Sequence, residues 1–281
     1  MNRHVATPEA ASVPLQRVRG TGVLSVRTLD GRTRIERLFQ EGAAKIRFPA
    51  SPGGHLEAVL INTAGGLTGG DRMAWRVDVG ADAAAVFTTQ ACEKVYRSTG
   101  AAADVRCTLA VAAGGHLSWL PQETIVFDRS CFRRTIDATI APGATALIVE
   151  STLFGRLARG ERVTAAMFAD RWRVRVGERL VHAEDFRIGP EVAATLARPA
   201  CAAGGLATAT VLAIGGDLDG RLGDVRDIVG DRGGASAWNV GGTGKLLARL
   251  VTADGYALRQ RLAPLIHLLN GEAGLPKVWS T

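Results

Sequence analysis

The 281-residue sequence has no apolar run near the roughly 18 residues that a membrane-spanning helix requires. Its opening stretch, MNRHVATPEAASVPLQRVRG, lacks the apolar core of a secretory leader. Cysteine is scarce. Cys92, Cys107, Cys131 and Cys201 form no CxxC pair, and their spacing suits neither a zinc knuckle nor a small disulfide scaffold. A reducing, cytoplasmic setting is therefore expected. Lysine occurs only at positions 45, 94, 245 and 277, so nearly all the positive charge is arginine. The formal net charge is +7, but the arginines interleave with acids and form no block of one sign, so nucleic-acid binding is not expected. Aromatic residues make up 5% of the chain. What is plentiful is apolar aliphatic character (47% hydrophobic overall) and turn formers, with 34 glycines and 10 prolines, the profile of a soluble globular chain with many reversals.

Period-two alternation dominates the first two thirds. Residues 73–79 (MAWRVDV), 105–111 (VRCTLAV) and 171–176 (RWRVRV) each read as a half-buried strand. A weak repeat is superimposed. VDVGADAAAVFTTQ from Val77, VAAGGHLSWLPQE from Val111 and IAPGATALIVEST from Ile140 each run strand, glycine turn, strand. Their glycines, Gly80, Gly114 and Gly143, lie 34 and 29 residues apart, which fits either stacked strand layers or a series of hairpins. Helical patterns wait for the C-terminal third: a short one over 222–229, and a longer one over 256–270 with Asp254 as N-cap and Gly271 as its end. Between them, ASAWNVGGTGKLLARLV reads as a hairpin.

The motifs that suggest chemistry mostly fail on inspection. NTAGGLTGGD (62–71) follows a strand, but a second strand follows it, so the helix N-terminus of a dinucleotide or phosphate site is missing. Its glycines are expected to permit a tight backbone crossing that places Asp71. GGTGKL (241–246) has Asn239 and Leu246 where a P-loop needs Gly and Ser or Thr. HAE (182–184) resembles the HxE of zinc deaminases, but no PCxxC accompanies it. His182 and Glu184 then read as a satisfied surface pair on one strand face. Cys92, in QACEK, is a candidate nucleophile for a cysteine-dependent hydrolase, although the adjacent Glu93 opposes thiolate formation. What remains is a set of carboxylates near strand ends, Asp71, Glu93, Glu123, Asp128, Glu150 and Glu184, with no cage spacing.

The strings NTAGGLTGGD, TTQACEKVYRS, WLPQETIVFD, STLFGRLARGE, RLVHAEDFRIG and GLPKVWST, in that order, resemble the urease accessory protein UreD (UreH) family. The resemblance implies a mainly β, stacked-strand and β-helix-like single domain over residues 20–281, with about two α-helices in the C-terminal third, behind a flexible segment at 1–19. It implies a non-enzymatic nickel metallochaperone scaffold that binds urease apoprotein and UreF, and the GTPase UreG through UreF. Ni2+ would move through an internal tunnel and would not be bound tightly. Mapped by motif, the tunnel-lining candidates are Asp71, Glu93, Glu150 and Glu184. Isolated oxygen donors suit a cargo that must leave better than a closed His/Cys cage.

Overall fold

A computed structural model describes residues 16–51, 53–156 and 159–279. The strands in chain order are β1 (Arg19–Leu29), β2 (Arg32–Gly42), β3 (Ala44–Arg47), β4 (Leu56–Asn62), β5 (Arg72–Val79) and β6 (Ala84–Thr89). Next come β7 (Glu93–Val95), β8 (Ala103–Val111), β9 (His116–Leu120), β10 (Thr124–Val126), β11 (Cys131–Ile140) and β12 (Thr145–Phe154). The last are β13 (Met167–Val176), β14 (Arg179–Ile188), β15 (Ala207–Ile214), β16 (Gly233–Val240) and β17 (Thr243–Thr252). Among the described residues three α-helices join them: α1 (Val192–Ala197), α2 (Leu222–Val229) and α3 (Gly255–Leu269).

The glycine-punctuated repeat is a stack. Strands β5, β8 and β11 run parallel in one sheet, and β6, β9 and β12 run parallel in the other. Each chain segment crosses from the first sheet to the second at Gly80, Gly114 or Gly143. Successive turns are hydrogen-bonded to each other, Ala112 N–H to Val79 O and Ala141 N–H to Val111 O, both at 2.8 Å. The first sheet has the order β14-β13-β11-β8-β5-β1-β2, and the second β16-β17-β15-β12-β9-β6-β4-β3. The short β10 pairs with β12 on one side and β7 on the other. Stacking parallel strands in two facing layers buries both inner faces, which is why the inward positions are Val, Leu, Ile, Phe and Trp.

A second core lies on the far side of the β12-β15-β17 region. There α2 and α3 cover Val149, Ala209, Val211 and Leu246 with Val225, Leu258, Leu262 and Ile266. Along β15, Thr208, Thr210 and Leu212 therefore alternate with Ala209 and Val211 and face the first sheet. Asp254 caps α3 by accepting from Ala257 N–H at 2.8 Å, as the sequence predicts, and Gly271 follows its end. α1 is an additional helix that the sequence pattern does not announce. The flexible segment expected over 1–19 falls largely outside the described residues, but Val18 and Arg19 belong to the folded body: Val18 N–H is bonded to Asp71 and Arg19 begins β1. Among the described residues no helix is long and apolar enough to cross a membrane.

Candidate functional site

The four acidic candidates fall into two pairs. Asp71 closes the glycine loop, its Oδ2 accepting from Thr68 N–H (2.7 Å) and its Oδ1 from Val18 N–H (2.8 Å). The loop lies flat against the next turn of the stack, with Leu67 N–H on Lys94 O (2.7 Å) and Gly70 N–H on Ala102 O (3.1 Å). A Cβ on Gly66 would stand 2.4 Å from Tyr96 Cε2, and one on Gly69 would stand 2.0 Å from Ser98 Oγ. Close approach between turns thus accounts for these glycines. Beside Asp71, half-buried Glu93 opens β7 and takes Asn62 Nδ2 on both carboxylate oxygens, at 3.1 and 3.2 Å.

Burial pushes the Glu93 carboxyl up to about 7, against the Asn62 and Lys94 N–H groups that favour its charge, and the nearby Asp71 adds to the rise. The sign of the consequence is fixed. In the unfolded chain this carboxyl titrates at an ordinary 4.5. Stability is untouched below that pH and falls as pH climbs from there through about 7, because the unfolded state ionises first. Glu93→Gln removes the effect. The urea midpoint of the variant relative to the parent should shift in the variant's favour between pH 5 and pH 8. A difference that is constant with pH would discard burial of Glu93 as the cause.

Glu150 and Glu184 form the second pair. They line one cavity of about 290 Å3 between the sheets, together with Asp170, Trp172, Thr210 and Arg249. Glu150 is 4% exposed and accepts from the Trp119 indole N–H at 2.9 Å. Its other oxygen meets Arg134, which also grips Asp170 through Nε (3.1 Å) and Nη2 (2.5 Å). The Trp172 indole donates to Asp170 at 2.9 Å. One guanidinium thus faces two buried carboxylates. Burial raises the Glu150 carboxyl to about 7, with Arg134 opposing the rise and Asp170 adding to it. Desolvation works against the Arg134 charge, but the two carboxylates outweigh it and hold the guanidinium protonated above its already high value.

Across the cavity Glu184 takes Arg249 Nη2 at 2.5 Å, and His182 Nε2 stands 3.6 Å away. Burial disfavours the Glu184 charge, but His182 and Arg249 bring the carboxyl below its usual range. The surface pair expected from HAE is instead buried, at 5% and 7% exposure, because this face of β14 packs over Trp172 and the cavity. Arg249, whose side chain is 49% exposed, marks where the cavity reaches the surface.

The pairs are joined by residues that motif reading did not select. Thr124 on β10 is in register with Glu93 on β7 and with Thr152 on β12. In-register neighbours project to the same face. Thr124 Oγ1 accepts from Arg134 Nη1 at 3.2 Å. In spatial order the groups are buried Asp71 and half-buried Glu93, Thr124, Arg134, then Glu150 with Asp170, and Glu184 with Arg249 beyond the cavity. Among the described residues no three His, Cys, Asp or Glu side chains gather with metal-holding geometry. These oxygens form a file rather than a cage.

The Cys92 thiol points away from this file. Its thiol donates to Glu123 Oε2 at 3.2 Å, and Arg259 holds that carboxylate through Nε (2.7 Å) and Nη2 (2.9 Å). Burial first, then the Glu123 charge, pushes the thiol up to about 12. A nucleophile needs the thiolate, and a carboxylate is a partner that suppresses it.

A family model described as UreD urease accessory protein matches residues 18–280. A Mesorhizobium japonicum protein named Urease accessory protein UreD is 59% identical over 270 residues, covering 96% of each chain. One of the same name from Brucella suis is 58% identical over 269 residues, again 96% of each. Urease accessory protein UreD 1 of Brucella ovis is 57% identical over 270 residues with the same coverage. With the family model matching residues 18–280 and relatives 57–59% identical over 96% of the chain, the chain belongs to the UreD family of urease accessory proteins.

Proposed function

We propose that this chain is a non-catalytic maturation scaffold that bridges urease apoprotein to UreF, and through UreF to the GTPase UreG, while Ni2+ crosses its interior toward the urease site. The observation that carries the reading is the file of polar groups through an otherwise apolar inter-sheet core, from Asp71 and Glu93 to Glu184 and Arg249. Charged and hydroxyl side chains are expensive to bury, so a continuous line of them between two surfaces calls for a purpose beyond packing. A hydrated divalent ion gains replacement oxygens along such a line without meeting a cage that would retain it. The Cys92 environment gives the hydrolase alternative no activated nucleophile.

The test is co-expression of the tagged chain with urease apoprotein and UreF, followed by a pull-down. Retention of both partners is expected. Retention of neither by a folded, soluble bait would overturn the scaffold reading.

A further inference from the structure

Arg134 occupies a position that packing alone does not explain. It lies at an inward site of β11, in register with Val105 on β8 and Asp170 on β13, and is 4% exposed. Its guanidinium is divided among Asp170, Glu150 and Thr124. Both carboxylates line the cavity, whereas Arg134 and Thr124 are not among its lining residues. The cavity therefore ends at the carboxylates, and the guanidinium stands immediately behind them, on the side of Thr124 and its register partner Glu93. A path from Glu93 to the cavity runs through the space that Arg134 fills.

A second observation concerns Glu150 itself. Its Oε2 is buried and is held by Arg134 Nη1 through a single close contact. The partnership with Asp170 is different, a two-point fork with an additional indole donor. Arg134 is thus held at two points by Asp170 and at one by Glu150. A divalent ion that reached the Glu150 oxygen from the cavity would confront a guanidinium at contact distance in a water-poor interior. Two cations cannot share these carboxylates at low cost.

We propose that Arg134 is the gate of the passage: its guanidinium is the resident counter-cation of Glu150 and Asp170, and it keeps closed a latent divalent-cation site between them that an ion occupies only by displacing it. This rests on the reading that a divalent ion crosses the interior, and it adds what holds the route shut in its absence. Swinging the side chain away from Glu150 while it keeps a hydrogen bond to Asp170 or Thr124 would open the space. Nothing covalent changes, and the displaced charge remains within the same cluster.

The test measures metal on the full chain, alone or in its complex with UreF, and requires no urease. Arg134→Met fills a similar volume without charge and leaves both carboxylates in place. After exposure to Ni2+ and gel filtration, the variant should retain about one Ni2+ per chain, with affinity at least tenfold above the parent by titration calorimetry. Adding Asp170→Asn should abolish the gain. The variant's thermal midpoint should also rise with Ni2+ where the parent's does not, since an ion that binds only the folded state stabilises it. Should Arg134→Met fail to fold even with Ni2+, Arg134→Lys, which keeps one charge but loses the fork, should still bind Ni2+ more tightly than the parent.

Equal affinity in parent and folded variant overturns the gate, as does a gain that survives Asp170→Asn. A purely structural Arg134 would lower stability without creating metal affinity. If Arg134→Met gains no metal while Glu150→Ala still lowers nickel loading of urease, the gate fails and the passage stands. If Glu150→Ala leaves loading unchanged while Arg134→Met gains metal, the passage fails at that residue independently.

Discussion

Glu150→Ala should lower the nickel content of urease matured with this chain roughly tenfold while leaving its complex with apoprotein and UreF intact. The magnitude follows what loss of one metal-contacting or metal-orienting group commonly costs. The structure explains why the fold should tolerate the change. Arg134 keeps its two-point contact with Asp170 and its bond to Thr124, so no buried charge is left unpaired. The Trp119 indole loses its acceptor, which is a modest cost beside an ion pair. Asp170→Ala is the contrasting variant. It removes the fork from Arg134 and leaves the guanidinium leaning on Glu150, and breaking a buried pair in this way costs about 3–5 kcal/mol. Nickel per urease, measured by elemental analysis of the purified complex, separates the two. Normal loading with Glu150→Ala would remove that carboxylate from the route.

Trp279→Ala should destabilise the fold by about 3–5 kcal/mol, the usual range for truncating a buried large aromatic. Trp279 belongs to the closing string GLPKVWST and is 5% exposed in the core between the second sheet and the helices. Its indole N–H bridges Thr88 Oγ1 (3.2 Å) and Leu120 O (3.1 Å), which join β6 and β9 of the stack. Arg259 of α3 lies 5.3 Å from its ring centroid and at the same time holds Glu123. The end of the chain is therefore pinned to the same turn that carries Cys92 and Glu93. Urea denaturation of parent and variant measures the loss. A change below about 1 kcal/mol would show that the ring is replaceable packing, as at a surface position.

The repeat was legible, although its spacing fits stacked layers and a series of hairpins alike. Gly80, Gly114 and Gly143 fall at the crossings between sheets, and the flanking alternation gives strand parity directly. The 222–229 helix and the Asp254-capped helix were legible because caps and apolar spacing are local signals. The site was only half legible. Motif matching named Asp71, Glu93, Glu150 and Glu184, but not the residues that connect them. Arg134 and Asp170 are 36 positions apart, and their pairing depends on β11 lying in register with β13, which no local spacing encodes. One signal was present. In FRRTI, Arg134 shares the parity of the core residues Phe132 and Ile136, and in FADRW Asp170 shares that of Phe168 and Trp172. A charge on an apolar parity has to find a partner inside. The HAE reading failed for a related reason. Alternation shows that His182 and Glu184 share a face, but which face is buried depends on what packs over it. The three-residue strands β7 and β10, which align Glu93 with Thr124, are too short for any periodicity to register.

If a cation passes between the two sheets, filling the cavity should stop it. Thr210 lines the cavity next to Glu150 in the β12–β15 register, on the face opposite the helix-covered core. Thr210→Phe places a ring in that space, against its register neighbours Glu150 and Arg249, while leaving every carboxylate, Arg134 and Arg249 chemically unchanged. The measurement is nickel per urease after co-expression, with retention of apoprotein and UreF checked on the same sample. Passage between the sheets predicts partners retained and nickel sharply reduced. Full nickel loading by a folded variant with its cavity filled would contradict it and move the route to the outside of the protein.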